Sequence, residues 1–194
     1  MEWVGRRRAG IVMRFDAADA QVLRGLVAAV LDMVGDAPAG RPAAGAGAPV
    51  DPLEEILGPD FGDSALGGGP APPRDPVLAR LLPDGYRDDP ESAGEFRRLT
   101  EASLRQHKRD TARRVLDSLP PRGGRVCLDR ATTRAWLSAL NDVRLVIGTR
   151  LDVTEDMDVP EPDDPAAPGY QLYRWLSLLQ ELLVEAVTGE SRPD

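Results

Sequence analysis

The chain has 194 residues, 42% hydrophobic and 29% charged, with a net charge of −8 and one cysteine. That length suits one domain with or without flexible parts, and the fractions are those of a globular protein. The negative balance argues against a general affinity for nucleic acid, which requires clustered positive charge. A single cysteine excludes an intrachain disulfide and suits a reducing cytosol. The N-terminus lacks the apolar core of a signal peptide, and apolar runs such as Leu26 to Leu31 are too short to span a bilayer. The expected setting is therefore cytoplasmic, with no membrane partner. Lys108 is the only lysine, every other positive charge being arginine, and Ala, Gly and Pro are abundant; GC-rich codon usage accounts for both.

Residues 3 to 15 read as extended structure, with Ile11 to Phe15 a strand and Trp3 to Arg6 its hairpin partner. Asp16 is a good N-cap for a helix from Ala17 to Val34, in which Val22, Leu23, Leu26, Val27, Val30 and Val34 recur at helical spacing before Gly35 ends it. From Asp36 to Pro73 the chain is rich in Ala, Gly and Pro. It buries too little to offset its ordering entropy and is predicted to be a flexible insertion. One short helix, Pro52 to Leu57, is predicted within it, capped by Asp51. Asp75-Pro76 and Asp89-Pro90 repeat this cap-then-proline signal. They open a short helix through Leu82 and the longest helix, Pro90 to Ser118, whose inner side is predicted to carry Phe96, Leu99, Ser103, His107, Ala112, Val115 and Leu119.

Arg125 to Leu128 leans towards β and is a candidate partner for Ile11 to Phe15. Asp129 caps a strongly apolar helix from Arg130 to Thr149. Residues 152 to 168 form an acidic, proline-rich loop. A last helix, Gly169 to Thr188, has so wide an apolar surface around Leu172, Leu176, Leu179 and Leu183 that burial on two sides is expected. The expected fold is mainly α: a compact bundle of about four main helices with a small N-terminal β-hairpin or minor sheet. Residues 1–35 and 74–190 form this single domain, and residues 36–73 are the insertion.

Four groups of residues carry candidate chemistry. The central helix places Asn141, Asp142, Arg144 and Arg150 among apolar residues. Buried polar groups must be paired, so an Asp–Arg pair there is either a clip between helices or the lining of a site; the clip is favoured. On the long helix Arg98, Arg105, Arg109 and Arg113, at spacings of seven, four and four, share a face. They form either a docking stripe for an acidic partner or a solvated face. The loop from Asp152 to Asp164 has seven acids and no positive charge, but it lacks the glycine bend of a calcium loop. It reads as a solvated loop or a cover for the arginine stripe. His107 and Cys127 are each single, so no zinc site of recognised type can be built within one chain, and no cofactor motif is present. Between Val126 and Leu128, Cys127 reads as a buried, inert thiol.

Three stretches together resemble one family. They are Leu81-Leu82-Pro83-Asp84-Gly85-Tyr86-Arg87-Asp88-Asp89-Pro90 with the following Glu95-Phe96-Arg97-Arg98-Leu99-Thr100-Glu101, the central stretch from Trp136 to Leu151, and Tyr173-Arg174-Trp175-Leu176 leading to Gln180-Glu181. The chain is similar here to the actinobacterial AosR-type oxidative-stress regulators, from about residue 10 to 188. The resemblance implies a transcription regulator that responds to oxidants and acts through a sigma factor of RNA polymerase. The sensor it implies is a nearby pair of cysteines forming an intramolecular disulfide. This chain departs from that pattern, having Cys127 alone. A redox role at Cys127 would need an intermolecular bond or a sulfenic acid, and both require exposure.

Three functions remain in view. The first is a non-enzymatic regulatory or adaptor protein that contacts the transcription machinery, a sigma factor or RNA polymerase. The second is a self-associating scaffold, a homo-oligomer, suggested by the apolar last helix. The third is an enzyme using Asp142 with an arginine. Direct DNA binding by a helix-turn-helix would need a polar recognition helix, and the central helix is too apolar for that.

Overall fold

Four helices of this chain begin at an aspartate whose carboxylate accepts backbone N–H groups of the first turn. Asp16 accepts from Asp19, Asp75 from Val77, Asp89 from Glu91 and Ser92, and Asp129 from Thr132, all at 2.7–3.1 Å. These bonds satisfy donors that a helix start leaves open. They favour the ionised carboxylate: Asp16 and Asp129 are held below the usual aspartate value chiefly by the backbone bonds, Asp89 chiefly by the Ser92 hydroxyl. At Asp75 and Asp89 the next residue is proline, which has no N–H to lose.

The structure, a computed structural model, describes residues 2–7, 10–35, 75–86, 89–154, 156–157 and 159–188. The insertion expected at 36–73, with its short helix from Pro52 to Leu57, lies outside them. Five helices are described: α1 (Ala17–Met33), α2 (Pro76–Leu81), α3 (Pro90–Ser118), α4 (Arg130–Arg150) and α5 (Ala167–Thr188). They join a three-stranded antiparallel sheet of β1 (Glu2–Arg7), β2 (Gly10–Phe15) and β3 (Gly124–Leu128), in the order β1-β2-β3. The strand expected near Arg125 does pair with Ile11 to Phe15, with Met13 opposite Val126 and Ile11 opposite Leu128. Those four side chains are buried on the face that meets the helices.

The central helix α4 packs against α1, α2, α3, α5 and β3. Trp136 is fully buried, its ring stacked on Phe15 at 5.6 Å between centroids, and its indole N–H donates to Ser118 Oγ at 2.8 Å. One side chain thus joins sheet, α3 and α4. Antiparallel α1 and α3 cap each other's C-terminal ends. Arg24 donates to the carbonyls of Leu116 and Leu119 at 2.6 and 2.7 Å, and Arg105 to that of Gly35 at 3.2 Å. Both place a cation at the negative end of a helix dipole.

Two sequence expectations about burial fail. On α3, Ala112 and Val115 are buried, as is Leu119 just past its end, but Phe96, Leu99, Ser103 and His107 point outward. The inward positions of its first half are Ala93, Gly94, Arg97 and Arg105. Small residues and the aliphatic stems of cations, not apolar side chains, seat that half of the helix. On α5, Leu176, Leu179 and Leu183 are buried, but Leu178, Val184 and Val187 are exposed, so its apolar surface is covered on one side only among the described residues. That covered side packs on α4.

Candidate functional site

The four arginines expected to form one stripe on α3 are not equivalent. Arg98 and Arg113 are exposed, Arg109 is half-buried, and Arg105 is buried. Arg105 Nε bonds Glu101 Oε1 at 2.7 Å, and its Nη1 reaches the Gly35 carbonyl. Its charge is therefore taken up inside the fold, which corrects the expectation of a continuous four-residue surface. Arg109 donates to Gln106 Oε1 at 2.8 Å, and Arg113 lies 3.7 Å from the Asp110 carboxylate. Exposed Glu95, Asp110 and Asp117 also interrupt the positive surface. At the N-terminal end of α3 the character changes. Leu99 is 69% exposed, and Phe96 and Tyr86 are about half exposed and packed edge to face at 6.0 Å between centroids. Arg98 stands beside them, while Arg97 turns inward to pair with Asp84. Gly85 makes room for this cluster, because a Cβ there would overlap the Phe96 ring.

Asp142 is buried, as its apolar surroundings predict, but its partner is not an arginine. Lys108 of α3 donates to Asp142 Oδ1 at 2.6 Å, and both side chains are nearly enclosed. Burial pushes the Asp142 carboxyl above the usual aspartate value; the bond to Lys108 and the charges of Lys108 and His107 offset this only in part. A buried carboxylate with one cation fits a clip between α3 and α4. Arg144 makes a second link, from α4 to α5. Its Nη1 donates to Gln180 Oε1 at 2.7 Å and its Nη2 to Tyr173 Oη at 3.1 Å. Asn141 and Arg150, grouped with them in the sequence reading, are exposed. The four residues are therefore one buried link, one half-buried link and two surface groups, not one cluster.

A family model described as a domain of unknown function, DUF2017, matches residues 1–187. The chain belongs to the DUF2017 family. Curated relatives named "Oxidative stress regulator AosR" in Mycobacterium tuberculosis and Mycobacterium bovis are 33% identical over 185 residues, covering 88% of this chain and 79% of theirs. A Mycobacterium leprae protein named "Putative oxidative stress regulator AosR" is 34% identical over 157 residues, covering 72% of this chain and 68% of its own. No solved structure matches. The resemblance read from the sequence is thus the right one.

For the single thiol the structure corrects the sequence reading. Cys127 is exposed. Strand side chains alternate between faces, so the burial of Val126 and Leu128 turns Cys127 outward. Its apolar neighbours were the wrong guide, and the strand period was the right one. Arg24 and Lys108 also escaped notice as fold-setting residues, since their partners lie 92 and 34 residues away along the chain. No local signal marks such pairs. Among the described residues, no group of three or more His, Cys, Asp or Glu side chains is placed to hold a metal, and no helix is long and apolar enough to cross a membrane.

Proposed function

We propose that this protein is a non-enzymatic, cytoplasmic regulator that docks through the exposed side of α3 onto a protein of the transcription machinery, a sigma factor or RNA polymerase. One observation carries the reading: a leucine 69% exposed, beside a half-exposed aromatic pair and an exposed arginine, at the start of α3. Aromatic and arginine side chains around an apolar centre are the usual make-up of an energetic docking point. Exposed Arg113 lies about 22 Å further along the helix, at 1.5 Å per residue, and extends the surface for an acidic partner. The names of the relatives, as regulators, support the role.

The test is a pull-down with purified RNA polymerase core and individual sigma factors. Arg98→Glu with Arg113→Glu tests the charge, and Leu99→Ser tests the apolar centre. Arg105 is left alone, since it holds Glu101 and the end of α1. Loss of recovery with both variants supports the reading, and unchanged recovery with both removes this surface as the docking site. A second reading, self-association, is favoured by exposed Leu178, Val184 and Val187 on α5. A monomer in sedimentation at high concentration would exclude it.

A further inference from the structure

Among the described residues, three inward-turned cations each face a carboxylate, Arg97 with Asp84, Arg105 with Glu101 and Lys108 with Asp142, and Arg24 meets the carbonyls at the negative end of α3. Arg144 is different. Its hydrogen-bond partners are an amide and a phenol, and its guanidinium carbon lies 5.1 Å from the centre of the Tyr173 ring. All of these are uncharged, and its Nε is buried without a hydrogen-bond partner. A guanidinium partly withdrawn from water, as that of Arg144 is, retains a demand for an anion. Beside it lies a cavity of about 260 Å³ between α2, α4 and α5, which Arg80, Asn141, Tyr173 and Asp152 also line.

We propose that this cavity binds a small molecule through a carboxylate or phosphate group, with Arg144 and Arg80 supplying the positive charge and Tyr173 and Asn141 the hydrogen-bond donors. The donor inventory supports an oxyanion. Tyr173 Oη accepts from Arg144, which leaves its own O–H to donate. Exposed Asn141 adds an amide NH₂. Two arginines against one aspartate leave the lining with a net charge of +1. Asp152 makes no ion pair with Arg144 among the described residues, so it does not neutralise that guanidinium. Its carboxylate is placed to meet a hydrogen-bond donor on the same ligand.

The backbone keeps the cavity open. Gly148 has no side chain to fill it, and a Cβ there would come within 3.3 Å of the Tyr173 ring. The α4 C-terminus then turns sharply, with Val153 N–H donating to the Gly148 carbonyl at 2.9 Å and Asp152 in the left-handed region at φ 50°. That turn sets Asp152 at the cavity. The volume lies below the range of about 300–1,000 Å³ typical of drug-sized sites and suits one oxyanion-bearing group of a small metabolite. Bound there, it would bridge α2, α4 and α5 and give the regulator a small-molecule input.

The inference does not rest on the α3 docking surface. Its test uses the purified full chain alone, so its failure leaves that reading intact. Isothermal titration calorimetry with sodium phosphate and with sodium succinate, against sodium chloride at matched ionic strength, supplies the two oxyanion types. Saturable one-site binding of at least one of them is expected. Arg80→Gln and Asn141→Asp are exposed changes that spare the core, and each is expected to weaken that binding about tenfold, the loss of one charge-assisted contact. Arg144→Gln is expected to abolish it, with circular dichroism checking the α4–α5 junction. Failure of both anions to saturate overturns the proposal, as does binding that Arg80→Gln and Asn141→Asp leave unchanged.

Discussion

Replacing Lys108 by methionine keeps the aliphatic stem and deletes the charge, leaving Asp142 buried without its cation. The two side chains are 11% and 4% exposed, close to the fully buried limit. Breaking such a pair from one side destabilises a fold by about 3 kcal/mol or more. For a chain of this size that lowers the melting temperature by about 6–12 °C. The pH dependence is specific. Burial already holds the Asp142 carboxyl above 3.8, and removing Lys108 deletes both its hydrogen bond and its charge, so the folded-state value rises further. A folded value above the unfolded one means that stability is fully present below the unfolded value and is lost as pH rises through the folded value. Lys108→Met is therefore expected to be nearest wild type in acid and to fall behind as pH rises. Lys108→Met with Asp142→Leu leaves no buried charge and is expected to lie within about 1 kcal/mol of wild type. Urea unfolding followed by circular dichroism across a pH series measures all three proteins. A double variant as unstable as the single one, or a deficit independent of pH, would refute the account.

Trp136→Phe removes the indole bond to Ser118 while keeping a ring against Phe15, and is expected to cost about 1–3 kcal/mol. Trp136→Ala is expected to cost about 3–5 kcal/mol, and calorimetry that ranks the two the other way would mean the ring is not the tie between sheet and helices. At Gly10, φ is +132° and a Cβ would overlap the Leu128 carbonyl, so Gly10→Ala is expected to lower the melting temperature and weaken the β2–β3 pairing. Amide exchange on β3 reads that effect, and unchanged protection there contradicts it. Cys127 is expected to take up one equivalent of iodoacetamide in the native protein, and Cys127→Ser to change stability by less than about 0.5 kcal/mol. Protection from alkylation until unfolding would place the thiol under cover.

Much of the candidate chemistry was legible as residue types but not as partners. Asp142 stood out because a carboxylate sits among apolar positions of one helix. Its partner did not, because Lys108 lies on another helix and only the packing of α3 on α4 selects it over the surrounding arginines. The arginine stripe was correctly spaced, yet equal helical phase did not mean equal exposure. Arg105 meets the end of α1 and is buried, while Arg98, on the same side, extends into solvent.

The chain by itself determined what is local. An aspartate before a proline can open a helix by local groups alone, because both act on the first turn, and Asp75 and Asp89 do so here. Alternation along β3 likewise determines that Cys127 faces away from Val126 and Leu128. Tertiary structure decided which side of α3 turns inward, which cation answers Asp142, and that Arg144 meets only neutral partners at the edge of a cavity. Those outcomes depend on distances between elements far apart in the chain. The spacing of residues along any one element carries no record of them.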